Sequence, residues 1–206
     1  MIESTRWGEL KECILFHAGL AEAAKCMTEF RLLNNGIPIT IGGSNSNNGY
    51  ERLLQLLNDS PNGDTPLCRH VNDVVSKITP LAPSLRATGK KVKVIIATDG
   101  EASDGNLADA MRPLKNLPVW IVVRLCTSVS SINNYWAEID AELELNMDVI
   151  QNHRSEAKEI RGFNPWLNYT EPLHRLREGA VTFREADLLD ETKLTTEQIH
   201  RFCIFM

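Results

Sequence analysis

KVKVIIATDGEASDG, residues 91–105, is the stretch around which the chain is organised. Val92, Val94, Ile95, Ile96 and Ala97 form a nearly continuous apolar run, the pattern of a strand covered on both faces in a parallel sheet. The run stops at Thr98-Asp99-Gly100, so a carboxylate stands where the strand delivers the chain to the C-terminal edge of its sheet. That edge is where open α/β sheets bind ligands. Asp-Gly is also a common turn pair, and taken alone it reads as a turn.

The segments on either side fit an α/β layout. After Gly105, Leu107, Ala110, Met111 and Leu114 mark a helix that Pro113 kinks or ends. PVWIVVRLC, residues 118–126, reads as a second buried strand, so strand, helix and strand follow in order and imply parallel pairing through a right-handed crossover. Upstream, Ser4 or Thr5 can cap a helix running to about Met27, with an apolar stripe of Trp7, Leu10, Ile14, His17, Ala21 and Ala24. His17 in that stripe reads as a packed histidine rather than a ligand. Thr28–Asn34 and Ile37–Gly42 read as an antiparallel hairpin turning at Asn35-Gly36, with Pro38 placing the second strand at an edge. A polar loop at 43–49, a short helix Tyr50–Leu57 and a loop at 58–64 follow. Thr65-Pro66 then opens a helix with a buried stripe of Leu67, Val71, Val74, Val75 and Ile78, for which Thr65 is the natural cap. Pro80–Lys90 reads as a connection.

Beyond Thr127, Ser131–Leu145 reads as a helix and Met147–Ile150 as a last short strand. Arg154–Ile160 and Leu167–Glu178 read as helices joined by an Asn-Pro turn, with Trp166 and Tyr169 as packing residues. Thr195-x-x-Gln198 is a capping box that opens the tail helix. The expected layout is therefore a doubly wound, mostly parallel α/β domain over residues 1–150 with one antiparallel edge hairpin, and a helical extension over 151–206.

Composition sets further bounds. The chain has 206 residues, 43% hydrophobic, which suits a domain with a substantial core. Twenty-two basic against 27 acidic residues give −5, and no Lys/Arg cluster points to DNA or RNA. No apolar run approaches the ~20 residues of a membrane span, and MIESTRWGELKE has no apolar signal core. Five scattered cysteines without a Cys-x-x-Cys argue for reduced thiols and a cytoplasmic setting. Cys68-Arg69-His70 offers two metal ligands without a partner pair.

Two motifs, GDTPL at 63–67 and IIATDGEASDG at 95–105, stand about thirty residues apart, each on the expected element. Together with the order helix, hairpin, loop, helix, strand they make residues from roughly Thr5 to Ile150 resemble the von Willebrand factor type A (VWA) domain. The resemblance implies a doubly wound sheet and a module that binds other proteins, in many members through Mg²⁺ or Mn²⁺. It implies that Thr65 and Asp99 belong to the metal shell, with Asp104 and Glu101 as weaker candidates on the following loop. Hard oxygen ligands with few carboxylates suit Mg²⁺, and an open position would let a partner's acidic side chain complete the shell.

The family's Asp-x-Ser-x-Ser is missing from all 206 residues, and so is the first strand that carries it. The expectation is an N-terminally incomplete record, or a degenerate domain that fills the gap otherwise, and in either case weak or no metal binding by this chain. The leading reading is a VWA-type protein-binding module with a partial metal-ion-dependent adhesion site. The second is a metal-free scaffold of the same fold, in which Thr65 is only a cap and Asp99 only a turn residue. The third is a metal-dependent hydrolase or phosphotransferase. The chain has no Gly-x-x-x-x-Gly-Lys-Ser/Thr, no Gly-x-Ser-x-Gly and no Gly-x-Gly-x-x-Gly, so catalysis is not expected and no catalytic residue is assigned.

Overall fold

The computed structural model describes residues 6–35, 37–43, 48–179 and 184–205. In chain order its elements are α1 (Arg6–Ala23), β1 (Thr28–Phe30), β2 (Ile39–Ile41), α2 (Gly49–Asn58), α3 (Leu67–Ile78), α4 (Ala82–Ala87) and β3 (Val92–Thr98). They continue with α5 (Leu107–Met111), β4 (Val119–Leu125), α6 (Ser130–Leu143), β5 (Met147–Ile150), α7 (His153–Phe163), α8 (Glu171–Glu178), α9 (Arg184–Asp187) and α10 (Thr196–Phe205). The chain is mixed α/β and divides into two compact units. One is Met1–Lys77 with Gly100–Pro113, and the other is Ile78–Asp99 with Leu114–Met206. The helices after Asn152 therefore belong to the same unit as the parallel strands.

In the first unit β1 and β2 pair antiparallel, Phe30 opposite Ile39 and Thr28 opposite Ile41. Ile39 and Ile41 point into a core with Ala18 and Ala21 of α1 and Leu53 and Leu57 of α2. Backbones meet closely here. A Cβ on Gly42, whose φ is +81°, would lie 2.3 Å from the carbonyl oxygens of both Ala21 and Cys26. Only glycine lets the end of β2 pass the end of α1 in this way. The sequence-based two-residue turn at Asn35-Gly36 is not what connects the strands. Gly36 lies outside the described residues, but pairing already ends at Phe30 and resumes at Ile39. The reason is that 31–34 is held elsewhere. Arg31 pairs with Asp73 of α3, the Asn34 amide donates to the carbonyls of Asn62 and Asp64, and Leu33 O meets His70 Nε2 at 2.9 Å. The expected Ser4/Thr5 cap and much of the 43–49 loop also fall outside the described residues.

In the second unit the strand order is β3-β4-β5, all parallel. Val92 to Thr98 run opposite Val119 to Leu125, and Ile121 to Arg124 opposite Met147 to Ile150. The strand covered on both faces is β4, not β3. Ile121, Val122, Val123 and Leu125 are wholly buried. Among the described residues β3 has a strand neighbour on one side only, and its Lys93 and Ile95 are exposed. Lys93 interrupts the apolar alternation of β3, which suits an edge, whereas β4 carries no charge before Arg124.

Trp136, Ile139 and Leu143 of α6 are buried in this unit as well. A further cluster, formed by Ile160, Tyr169, Leu173, Leu189, Leu194 and Phe202, holds the C-terminal helices together. Asn164, completely buried, organises their connections. It donates to the carbonyls of Leu189 and Thr192 and accepts from Leu194 N–H and Trp166 Nε1. The capping box forms as read: Gln198 N–H donates to Thr195 Oγ1 and Thr195 N–H to Gln198 Oε1. Much of Pro80–Lys90, read from sequence as a plain connection, is instead a 3₁₀ turn (Thr79–Leu81) and α4, because Pro80 and Pro83 sit at first-turn positions that need no N–H.

The contrast between the two strands is measurable. Ile121→Ala, at a site with no exposure, is expected to cost about 2–5 kcal/mol in chemical denaturation. Ile95→Ala, at a site 38% exposed, is expected to cost no more than about 1 kcal/mol.

Candidate functional site

Of the residues singled out in the sequence, Thr65, Glu101 and Asp104 lie in the first unit and Asp99 in the second. Within the first unit the loop after Gly100 is tied to the 65–69 segment by four hydrogen bonds. Ser103 N–H donates to Thr65 O, and Thr65 N–H donates to Ser103 Oγ. Asp104 Oδ1 accepts Cys68 N–H and Oδ2 accepts Arg69 N–H, each at 2.9 Å. Asp104 thus caps α3 from another part of the chain, satisfying two first-turn donors that a helix cannot satisfy internally. Burial would raise its carboxyl, but the Arg69 and Cys68 N–H groups outweigh that and hold it below the usual range. Burial together with this carboxylate pushes the Cys68 thiol up to about 11, so the thiol is protonated at neutral pH. Asp104 is the cap in place of Thr65, whose carbonyl accepts Leu67 N–H. Thr65 is half-buried, Glu101 is exposed on the same loop, and Asp99 is exposed at the end of β3.

A second group of residues, of which sequence reasoning named only Tyr169 and only as a packing residue, lies inside the other unit. Arg124 is almost completely buried in β4 and donates from Nε to Oε1 of the equally buried Glu178 at the end of α8. The same Oε1 meets His174 Nε2 at 3.1 Å, and Oε2 accepts Arg175 Nη1 at 2.8 Å. Tyr169 Oη lies 3.1 Å from His174 Nδ1, so hydroxyl, imidazole and carboxylate stand in a row, with His174 Nε2 close to Glu178 but not aligned for a hydrogen bond. Burial would raise Glu178. The adjacent His174 and the Arg124 charge overcome it and hold the carboxyl well below the usual carboxylate range. Burial lowers His174 despite Glu178 beside it, and that keeps it neutral.

One residue earlier, Arg177 faces a different set. Its Nη1 donates to Glu156 of α7 at 2.7 Å, and its Nη2 to Asp190, also at 2.7 Å. Asp148 of β5 lies 3.7 Å from Nη2. Glu156 also accepts Gln151 N–H through Oε1. Burial pushes the Glu156 carboxyl up to about 7 against the pull of Arg177, with Asp190 and Asp148 adding to the rise. A cleft of about 280 Å³ opens beside this group, at the C-terminal ends of β4 and β5, bordered by Asn133 and Asn134 of α6 and by Glu156, Glu159, Asp190 and Glu191. Both strands deliver the chain to this edge, the position at which open parallel sheets form crevices.

The sequence held one signal for this centre. Arg124 is a lone charge inside PVWIVVRLC, and a cation in a strand buried on both faces requires a buried anion. Nothing in the chain order says which of the later acidic residues supplies it. All five cysteines are free thiols. No helix among the described residues is long and apolar enough to cross a membrane. No family model matches the chain, and no curated protein or solved structure matches it either.

Three substitutions test these assignments. Arg124→Met strands Glu178 in the interior and is expected to cost about 3–5 kcal/mol in denaturant unfolding. Because Glu178 is held low, the stability it supplies is present above the ordinary carboxylate range and lost as pH falls through its folded value. Acid sensitivity in the range below about pH 4.5 should therefore weaken in Glu178→Gln relative to the parent. Asp104→Ala, which frees two α3 donors, is expected to cost about 1 kcal/mol in the same measurement.

Proposed function

We propose that the chain acts as a protein-binding module of the VWA type, with the loops around Thr65 and the Asp99–Gly105 turn as its recognition surface. The observation that supports this reading is the docking of the Gly100–Gly105 loop on the 65–69 segment through Ser103 and Asp104. Within the first unit it ties the Gly100–Gly105 end of the second motif to the first motif. The mixed α/β class with a parallel sheet agrees with this reading, while the hairpin expected at that sheet's edge forms a two-stranded sheet of its own.

The metal-dependent form of this reading assigns Thr65 and Asp99 to Mg²⁺ or Mn²⁺, as the resemblance implies, and leaves an open position for an acidic side chain of the partner. One observation favours the metal-free form. Both oxygens of Asp104 already accept helix N–H groups, so this carboxylate serves the cap first. The reading assigns no catalytic residue, and the partner class is protein.

Affinity capture from the source cells separates these forms. A partner retained by the parent chain and lost with Asp99→Ala/Glu101→Ala, the fold remaining intact by circular dichroism, is the expected outcome. Equal retention by the variant overturns the recognition surface. Loss of the partner on adding EDTA, with Mn²⁺ titrating to a site that Thr65→Ala weakens, supports the metal-dependent form. Retention in EDTA assigns the metal-free scaffold.

A further inference from the structure

The Arg177 group holds more negative than positive charge in a place with little water. One guanidinium, 2% exposed, meets Glu156 at 1% exposure and Asp190 and Asp148 at under a fifth. With all three carboxylates ionised the group carries a formal −2. The neighbouring centre has no such excess, since Glu178 is matched by Arg124 and Arg175. Excess charge in a low-dielectric interior is relieved most simply by a proton.

The four partners come from four pieces of chain. Asp148 lies on β5, Glu156 on α7, Arg177 on α8, and Asp190 on the turn after α9. Facing Glu156 from those pieces and from its own helix are Arg177, Asp190, Asp148, the Gln151 N–H and the Tyr169 hydroxyl, with Glu159 the next carboxylate along α7. Burial and Asp190 raise Glu159 as well. The cleft runs along this group, with Glu156 on its α7 side and Asp190 and Glu191 on the turn across from it. It gives solvent a route to a carboxyl that is otherwise enclosed.

We propose that the Arg177 group is a proton-operated latch on this cleft: while its carboxylates share a proton the 188–191 turn is held against α7, and loss of the proton to solvent loosens the turn and opens the cleft. Repulsion falls on the turn because Asp190 is its link to Arg177. Asn164, which holds Leu189, Thr192 and Leu194 through uncharged hydrogen bonds, keeps the segment attached in either state. The latch is thus a local opening rather than unfolding.

The sign follows from linkage. A carboxyl raised in the closed state favours closure at low pH, and that contribution is lost as pH rises through the closed-state value. With Glu156 at about 7 when closed and at its ordinary 4.5 when exposed, opening is about tenfold more populated near pH 8 than near pH 6. Hydrogen exchange of peptides spanning 184–192, corrected for intrinsic exchange rates, reads this directly. Protection is expected to fall about tenfold between about pH 6 and about pH 8 in the parent chain and to stay level in Glu156→Gln, whose amide cannot ionise. A parent chain with level protection, or a Glu156→Gln variant with the parental slope, overturns the proposal. If Glu156→Gln does not fold, Asp190→Asn carries the test. Removing that charge gives Glu156 a larger share of Arg177 and moves the midpoint of the effect to lower pH, and an unchanged midpoint overturns the latch.

Discussion

The ion pair between Arg124 and Glu178 sets the terms for the whole C-terminal half of the chain. Each of these ions loses several kcal/mol of solvation on burial, and an isolated pair need not recover that loss. Here Glu178 takes hydrogen bonds from Arg124 and Arg175 and has His174 beside it at 3.1 Å, and His174 in turn meets the Tyr169 hydroxyl at 3.1 Å. Satisfying that many groups fixes where α8 sits on the sheet, because Arg124 is on the central strand and its partners are on the helix and the connection before it. An apolar contact of similar area would tolerate sliding, and this one does not. The Arg177 group gives a second anchor one residue away, to β5 and α7. Apolar packing among Ile160, Leu173, Leu189 and Phe202 supplies cohesion between helices, and the two arginines supply register.

That division explains what could be read in the sequence. Periodicity reports apolar faces, so β4, β5, α3, α6 and the capped tail helix stood out, as did the parallel order of the last strands. Periodicity also led to one inversion. The run Val92–Ala97 looks as buried as Val119–Leu125, but Lys93 within it is the mark of an edge and deserved more weight than the apolar count. Asn35-Gly36 offered a tight turn that lost to tertiary contacts, since Arg31 and Asn34 gain more from α3 and the 62–64 loop than a two-residue turn returns. The buried charges were the least legible. Glu156, Arg177 and Glu178 lie on helical segments whose charges, read alone, describe a solvated face. Only the fold reveals that α8 turns that face inward.

The loop at 100–105 shows how one residue type supports two readings of a site. A carboxylate beside a helix start can hold a cation with its oxygens or hold the helix by its N–H groups, and Asp104 does the second. Ser103 and the Thr65 backbone complete a scaffold that makes the loop rigid without an ion. A recognition surface needs that rigidity, since ordering a loose loop on binding costs entropy that affinity must first recover. On the proposed reading the loop would therefore keep its shape whether or not a metal takes part, and a metal would add selectivity for an acidic partner rather than shape.

The two buried charge centres also oppose each other in pH. Glu178 and His174 are held in the states they prefer at neutral pH, so falling pH works against that centre. Glu156 prefers its proton, so rising pH works against the other. Both centres act on α8 through adjacent residues. By linkage Glu178 and His174 strengthen the hold on the helix as pH rises toward their ordinary values of 4.5 and 6.5, while Glu156 weakens it as pH rises from its ordinary 4.5 to about 7. Rising pH strains the side that borders the cleft, and falling pH strains the side that meets β4. A single arginine–glutamate pair could not produce such a two-sided response. Placing the two charged residues consecutively at the end of one short helix lets the same element answer to both.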